Sequence, residues 1–170
     1  MRATFFVQGR WAEAYPDTAQ RIGPAGHLVG SHSFYHARMP LFSDPGFDTD
    51  VRDAERALIE ILGIDPRPWF RFPFGAGFDD SRVLDRLTAL GYRHVHWDVE
   101  PYDWDPGRTS RQVEDTVVDG TLSRGDGAIV LLHTWPSNMI EALPGVLARL
   151  RDKGASFVRL DELPGVVATP

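Results

Sequence analysis

Apolar residues fall into two alternating patterns along the chain: short apolar runs, and longer segments in which apolar residues recur every three or four positions. The first pattern is typical of strands and the second of amphipathic helices. The runs that predict strands occupy residues 3–7, 27–31, 68–72, 92–99, 128–133 and 156–160. Because helical segments separate these six runs, the sequence predicts an α/β fold with a mostly parallel sheet and helices packed outside it.

Capping residues predict where several of these helices begin and end. Pro16 suits the first turn of the first helix. The longest helical pattern is expected to begin at a cap formed by Asp48 or Thr49 and to end at Gly63. One later helix is predicted to start at Asp80 or Ser81 and another at Ser110. Apolar residues between Ile140 and Leu150 mark a last helix, which is predicted to end at Gly154.

Residues that could take part in catalysis or ligand binding follow the predicted strands. Parallel α/β sheets bind their ligands at these carboxyl ends of the strands. The candidate residues are His32 and His36 after the second run, Arg71, Pro73 and Gly75 after the third, Asp98, Asp103 and Trp104 after the fourth, and His133 at the end of the fifth. We therefore expect these residues to gather at one edge of the sheet.

The segment HSFYH, residues 32–36, holds two histidines four positions apart. This spacing would place both imidazoles on one face of a helical turn, where two neutral rings can bind one divalent ion of the zinc type. The alternative is a pair of ordinary surface histidines, since the spacing alone is a weak signal. The position directly after a predicted strand favours the metal site.

Three further motifs contain candidate catalytic or binding residues. In RFPFG, Pro73 and Gly75 predict a tight turn that exposes a backbone N–H, with Arg71 as a fixed cation; the alternative is an ordinary loop. A carboxylate in DVEPYDW would hold the tautomer of a nearby histidine, although a polar loop with one packed Trp fits as well. Strand alternation places Leu131 and His133 on one face, where a buried structural histidine is the alternative.

Composition narrows the classes of function. The chain of 170 residues is long enough for one domain, and its net charge of −6 without a basic run argues against binding nucleic acid phosphates. Since it has no Cys, a metal must be bound by His and carboxylate side chains. No stretch approaches the roughly 20 apolar residues of a membrane span, and the first residues lack a signal-peptide pattern. Localisation stays open.

Five motifs in this order and spacing, ATFFVQG, GHLVGSHSFYH, RFPFG, WDVEPYDW and IVLLH, resemble the polysaccharide deacetylase family. This family contains the NodB-homology domains of carbohydrate esterase family four. The resemblance runs from about residue 2 to about residue 163 and implies a distorted (β/α) barrel, here incomplete, with about six strands and the first strand missing. It also implies hydrolytic removal of acetyl groups from an N-acetylated or O-acetylated polysaccharide such as chitin, peptidoglycan or xylan.

The resemblance also implies roles for individual residues. His32 and His36 correspond to two of three ligands of a divalent metal, for which Zn²⁺ is expected. His133 corresponds to the general acid, and Asp103 orients it. These roles suit amide hydrolysis, because a bound metal activates water and a histidine can protonate the leaving amine.

The same resemblance assigns the surroundings of the acetyl group. The backbone N–H of Phe74 contributes to the oxyanion hole, which stabilises the tetrahedral intermediate. Trp104 and Leu131 line the pocket for the acetyl methyl group. Arg71 corresponds to the arginine that pairs with the catalytic Asp of the family.

The first motif of the family, which supplies the catalytic base and the third metal ligand, has no counterpart before ATFFV in this chain. The doublet FDD at residues 78–80 is interpreted instead as a helix start. We therefore expect a single, N-terminally truncated domain over residues 1–170, in which Arg71 loses its usual partner. Weak metal binding, doubtful activity and self-association through an uncovered sheet edge follow from this hypothesis.

Two other functions remain open. The chain could be a non-catalytic carbohydrate-binding or scaffold domain that lacks the two acids, with Trp97, Trp104 and Trp135 stacking on sugar rings. It could also be a relative that hydrolyses a cyclic amide or imide, although the intact pair of His32 and His36 argues mildly against this alternative.

Overall fold

The computed structural model describes residues 1–164 of the chain. The chain divides into two compact units, of which one contains residues 1–96 with the segment from residue 158 onwards and the other contains residues 97–157. Each unit is described by itself below.

The first unit is built on a four-stranded parallel sheet. Its strands are β1 (Thr4–Val7), β2 (Leu28–Ser31), β3 (Trp69–Phe70) and β4 (Arg93–His94), in the spatial order β1-β2-β3-β4. β1 and β2 pair over four residues, whereas β3 and β4 pair over two. The α/β class and the parallel sheet predicted from the hydrophobic pattern are therefore confirmed.

Four helices belong to this unit: α1 (Gly9–Ala14), α2 (Pro16–Ala19), α3 (Asp44–Leu62) and α4 (Ser81–Ala89). Short 3₁₀ turns lie at Met39–Leu41, Pro73–Gly75 and Leu160–Glu162. Pro16 occupies the first turn of α2, as predicted. Asp80 caps α4 by accepting a hydrogen bond from the N–H of Val83 at 3.4 Å, so the interpretation of the FDD doublet as a helix start is confirmed.

The predicted start of α3 at Asp48 or Thr49 is wrong. The helix begins at Asp44, and the hydroxyl of Ser43 caps it by accepting from the N–H of Gly46 at 3.4 Å. Ser43 precedes an acidic residue and a proline, which together form a better helix start than Thr49, six residues further on. The predicted end is correct, because Gly63 adopts a left-handed conformation with φ 68°.

Helix α3 packs against the sheet through its apolar face. Phe47 and Val51 of this helix are fully buried in one cluster with Phe70 and Phe72, and Leu58 is buried in a second cluster beside Val29. Burial of each such side chain contributes about 1.5–3 kcal/mol to the stability of the fold. This packing holds α3 behind the carboxyl end of β2.

The second unit contains α5 (Ser110–Arg124) and α6 (Ser137–Asp152). Thr109 and Gln112 form a reciprocal capping box at the start of α5, with Gln112 N–H to Thr109 Oγ1 at 3.2 Å and Thr109 N–H to Gln112 Oε1 at 3.0 Å. The two helices bury an aliphatic cluster that consists of Val117, Val118, Val146 and Leu150, with Val130 and Leu132 packed against it.

Two of the six predicted strands do not form as strands within the described residues. Segment 128–133 contributes one isolated parallel bridge, Val130 to Val99. Segment 156–160 forms no ladder, and at its end the N–H of Leu160 donates to Thr4 Oγ1 and the N–H of Arg159 donates to Glu162, both at 3.0 Å. Side-chain acceptors have thus taken two of the donors that a strand would need.

Among the described residues, none of the helices combines the length and the apolar character that crossing a membrane requires.

Candidate functional site

The site residues predicted from the sequence divide between the two units. His32, His36, Arg71 and Phe74 lie in the first, and Asp103, Trp104, Leu131 and His133 lie in the second. The geometry of each group is described separately below, and any role that residues of the two groups share in one site stays a prediction.

The two histidines of the first unit lie side by side. The ring centroids of His32 and His36 are 4.8 Å apart, with the rings inclined at 71°. The segment that carries them is a loop and not the predicted helical turn, since Ser33 and His36 have φ angles of 65° and 57°. Left-handed residues interrupt a right-handed helix, so the pairing of the rings arises from a different backbone path.

Hydrogen bonds to side chains shape this loop. The N–H groups of Phe34 and Tyr35 donate to the two carboxylate oxygens of Asp50, each at 3.0 Å. The N–H of His36 donates to Ser33 Oγ at 2.9 Å. Asp50 is 2% exposed and Ser33 is fully buried. Burial raises the pKa of the Asp50 carboxyl, and the two backbone N–H bonds oppose that rise.

Sequence reasoning missed Asp50, although the chain contains a signal for it. Asp50 lies three residues after Phe47 and four before Ala54, both fully buried residues of α3. A carboxylate at this spacing therefore lies on the apolar face of an amphipathic helix, where it needs hydrogen-bond donors from elsewhere in the chain. An acidic residue on the buried face of a helix therefore indicates a structural or functional role.

The ring of His32 is oriented by the main chain. Its Nδ1 lies 2.7 Å from the carbonyl oxygen of Arg71. A carbonyl can only accept, so Nδ1 carries the hydrogen and Nε2 of the neutral ring is the nitrogen suited to a metal. Two imidazoles fit a divalent ion of the zinc type. Across residues 1–164 no group of three or more His, Cys, Asp or Glu side chains could hold a metal ion.

Arg71 is a buried cation at the end of β3, with 7% of its surface exposed. Its guanidinium lies 4.3 Å from the ring centroid of Phe6 and donates to the carbonyls of Val95 at 3.0 Å and His96 at 3.3 Å. Burial lowers the pKa of Arg71 to about 10. The side chain remains protonated at neutral pH and ties the segment after β4 to β3.

Phe74 lies in a left-handed conformation, with φ 59° and ψ 13°, inside the 3₁₀ turn. Its ring centroid is 4.7 Å from that of His36, and the guanidinium of Arg38 lies 4.9 Å from it. Outside the bonds internal to helices and strands, the N–H of Phe74 donates to no acceptor in the described part of the chain. The oxyanion-hole role expected for this donor stays a prediction.

Histidines 94 and 96, which the sequence analysis did not single out, form a second pair in the first unit. His94 Nδ1 accepts from the N–H of Phe72 at 3.3 Å, and its Nε2 lies 3.4 Å from His96 Nδ1. Burial, with smaller contributions from His96 and Arg71, lowers the pKa of His94 to about 4. His94 is therefore neutral at physiological pH.

Asp103 and His133 are in direct contact in the second unit. His133 Nδ1 lies 2.8 Å from Asp103 Oδ1, and the backbone N–H of His133 donates to Asp103 Oδ2 at 2.7 Å. The carboxylate is buried, with 1% exposed, whereas 32% of the His133 side chain is exposed. The bond to Asp103 places a hydrogen on Nδ1 and directs Nε2 away from the carboxylate.

Val130 and Leu132 pack against the aliphatic cluster. The N–H of Leu131 donates to the carbonyl of Val99 at 2.9 Å, beside the bridge between Val99 and Val130. The shared face expected for Leu131 and His133 from strand alternation stays a prediction.

Glu100, also missed from the sequence, bridges two tryptophans. Trp97 Nε1 donates to one carboxylate oxygen and Trp104 Nε1 to the other, each at 3.1 Å. Trp104 remains 46% exposed. Trp97 and Glu100 also line an open cavity of about 650 Å³, together with Tyr102 and Arg124. The bridge fixes the orientation of the indole that the sequence assigned to the acetyl pocket.

Comparison with known proteins defines the class of this chain. A sequence model described as polysaccharide deacetylase matches residues 1–95 of the 170. The chain therefore belongs to the polysaccharide deacetylase family, as the order of its motifs predicted. This family uses a divalent metal in general, and the imidazoles of His32 and His36 are donors of a suitable kind.

Individual relatives agree with the family. The chain is 27% identical over 96% of its length to a peptidoglycan-N-acetylglucosamine deacetylase of Bacillus cereus, of which it covers 58%. It is 32% identical over 77% of its length to a chitooligosaccharide deacetylase of Rhizobium leguminosarum bv. trifolii, again covering 58% of that protein. The chain thus spans less than two thirds of the length of these curated relatives.

A solved structure of the peptidoglycan deacetylase PdaC from Bacillus subtilis superimposes with a TM-score of 0.85 at 27% identity. The superposition covers 97% of this chain and 77% of that one. The predicted fold class, the α/β fold of this family, is therefore confirmed.

Proposed function

We propose that this chain is a metal-dependent deacetylase domain that hydrolyses acetyl groups on an acetylated polysaccharide. The observation that supports this most directly is the pairing of His133 with the buried carboxylate of Asp103 at 2.8 Å, the arrangement of an oriented proton donor. The relatives named above act on peptidoglycan and on chito-oligosaccharides, so an N-acetylated sugar polymer is the proposed substrate.

In this proposal His32 and His36 hold the divalent metal, with Zn²⁺ as the expected ion. The hydrogen bond from His32 Nδ1 to the carbonyl of Arg71 fixes the tautomer that binds through Nε2. The ion, when bound, supplies Lewis-acid activation of water and of the acetyl carbonyl. Arg71 itself remains a fixed positive charge behind this loop.

His133 acts as the general acid. It acts in its imidazolium form: once the oxygen of a water molecule has bonded to the acetyl carbon, Nε2 gives its proton to the sugar nitrogen as the bond between that nitrogen and the acetyl carbon breaks. The products are the free amine and acetic acid, whose proton restores the imidazolium. Asp103 holds the orientation of the ring through Nδ1 and compensates the positive charge of the imidazolium. The N–H of Phe74 stabilises the oxyanion of the tetrahedral intermediate, and Trp104 and Leu131 contact the acetyl methyl group.

A second candidate is a non-catalytic domain that binds the polysaccharide. It is favoured by the finding that residues 1–164 contain no group of three or more potential metal ligands. Exposed aromatic faces suit this candidate as well, since Trp104 is 46% and Trp135 is 68% exposed. Pairing of a second copy with β1, an edge of the four-stranded sheet, also stays a prediction.

Acetate release from acetylated chito-oligosaccharides in the presence of Zn²⁺ or Co²⁺ tests the two candidates. Metal-dependent release that is lost in both His32→Ala and His133→Ala, but kept in His27→Gln, supports the deacetylase. Binding of the oligosaccharide by calorimetry without acetate release, unchanged by a chelator, supports the binding domain. Absence of both binding and release contradicts both candidates.

A further inference from the structure

We propose that Asp50 is the positioning residue of the metal-binding pair His32 and His36, acting on both rings through the main chain of the loop between them. This inference rests on the proposed function, in which these two histidines hold the metal. It assigns a task to a buried acid of α3 that lies in a different element from the ligands.

Asp50 contacts the part of the loop that separates the two rings. Its carboxylate oxygens accept the N–H groups of Phe34 and Tyr35, one oxygen to each donor, at 3.0 Å. The carboxylate thereby fixes two consecutive peptide groups. Because His32 precedes these peptides and His36 follows them, the separation of the two imidazoles depends on this pair of bonds.

The structure also argues against a direct ligand role for Asp50, since no group of three or more His, Cys, Asp or Glu side chains among residues 1–164 could hold a metal ion. Each carboxylate oxygen of Asp50 accepts a backbone N–H, and only 2% of the residue is exposed. Asp50 therefore acts in the manner of an outer-shell group, except that it orients the ligands through peptide N–H groups and not through their rings.

The backbone of the loop requires such support. Ser33 and His36 both lie in the left-handed region, at φ 65° and 57°, which non-glycine residues adopt rarely. The carbonyls of the same loop are anchored separately, since Gly9 N–H donates to Ser33 O at 3.0 Å and Arg10 N–H donates to Phe34 O at 3.3 Å. Asp50 completes this support by taking the N–H groups on the opposite side of the peptides.

The test is the affinity of the chain for Zn²⁺ or Co²⁺, measured by calorimetry on the parent and on Asp50→Asn. An amide has one acceptor oxygen, so this variant keeps one N–H bond and turns an NH₂ group towards the other donor. We expect the affinity to fall about 10–100-fold, the range for loss of an outer-shell partner. Asp48→Asn is the control, because Asp48 pairs with Arg86 at 2.7 Å and not with the loop.

A second readout needs no metal. In the metal-free chain we expect amide exchange of Phe34 and Tyr35 to accelerate at least about tenfold in Asp50→Asn, while the amides of α4 are unchanged. Should this variant not fold, Asp50→Glu keeps both oxygens but displaces them by one methylene, and the same fall in affinity is expected.

An affinity for metal within twofold of the parent in the folded variant would overturn the positioning role of Asp50. Failure of the proposed metal site itself has a different signature: His32→Ala would then bind the metal as well as the parent does. That result would remove the assignment of the histidines and the role of Asp50 together.

Discussion

The loop of His32 and His36 and the pair of Asp103 and His133 each depend on one buried carboxylate, but the carboxylate bonds to different parts of the chain. Asp50 accepts two N–H groups of the loop. Asp103 accepts one backbone N–H and one ring nitrogen of the histidine itself. The first acid therefore determines a backbone path, and the second determines the state of a side chain.

The backbone conformation also differs between the histidine loop and the segment that carries His133. His36 lies in the left-handed region at φ 57°, whereas His133 is not among the positive-φ residues. If His32 and His36 bind one ion, as proposed, their rings must be held at a fixed separation, which a strained and well-bonded loop provides. If His133 is the proposed proton donor, it needs a fixed orientation and one exposed nitrogen, which a single carboxylate provides on unstrained backbone.

The largest effect is expected from Asp103→Ala. The substitution leaves the N–H of His133 without its acceptor and its ring without orientation, so the free energy of unfolding should fall by about 2–4 kcal/mol. Urea denaturation measures this change. The control is Asp105→Ala, which removes only a turn contact to the N–H of Gly107 at 2.8 Å. A loss below about 1 kcal/mol would show that the pair is not held as described.

A pH-dependent effect is expected from His94, the buried histidine of the first unit. Its pKa is about 4 in the folded chain and 6.5 in the unfolded chain, so the unfolded state binds more protons between these values. Stability from this residue is complete above pH 6.5 and is lost as the pH falls towards 4. The loss amounts to at most about 3.4 kcal/mol, since each unit of difference in pKa corresponds to about 1.36 kcal/mol.

The variant His94→Asn isolates this contribution, because its amide oxygen can still accept the N–H of Phe72. We expect the difference in stability between parent and variant to change with pH between 4 and 6.5 and to be constant above that range. Chemical denaturation across a pH series measures it. A difference that does not vary with pH would contradict the neutral buried state of His94.

A smaller effect compares alanine and glycine at both histidines. At position 36, with φ 57°, Gly should be more stable than Ala by about 1 kcal/mol, because only Gly adopts this conformation without steric cost. At position 133 the variant with Ala should be more stable than the variant with Gly by about 0.5–1 kcal/mol, since Gly loses more conformational freedom on folding. Thermal denaturation of the four variants measures the difference in stability between Gly and Ala at each position. If this difference had the same sign at both positions, the contrast between the two backbone conformations would be wrong.

The smallest effect is expected from Glu100→Gln. One of the two indole N–H groups loses its acceptor, which should lower the stability by about 0.5–1 kcal/mol. The indole signals of Trp97 and Trp104 in a ¹H–¹⁵N spectrum should shift and exchange faster with solvent. Glu141→Gln, on the exposed side of α6, is the control. Unchanged indole signals would contradict the bridge.

The sequence predicted the class of the fold because that class depends on periodicity. Alternation of apolar runs and helical faces was sufficient for the parallel sheet, and Asp80 and Gly63 marked helix ends by local hydrogen bonding and backbone preference. Segment 156–160 was overpredicted as a strand, because periodicity reports which face is buried and not which groups accept the backbone N–H. There, Thr4 and Glu162 accept them.

For the candidate site, too, the sequence indicated some residues but not the contacts that support them. His32, His36, Asp103 and His133 could be proposed as site residues from the motifs, because chemistry restricts residue type, and the structure shows that the members of each pair are in contact. The supporting acid could not, since Asp50 meets the loop across a separation of 15 and 16 residues, and only the tertiary packing of α3 brings them together. The loop itself was mistaken for a helix because i, i+4 spacing does not reveal left-handed residues.

The attachment of the ligand loop to α3 has a consequence for the order of assembly. The loop can take its shape only after the helix has docked on the sheet, because the acceptor for Phe34 and Tyr35 arrives with the helix. In a zinc finger the ion drives folding of the peptide that surrounds it. For the metal site proposed here we expect the opposite order, in which the polypeptide folds first and the loop is already shaped when a cation binds.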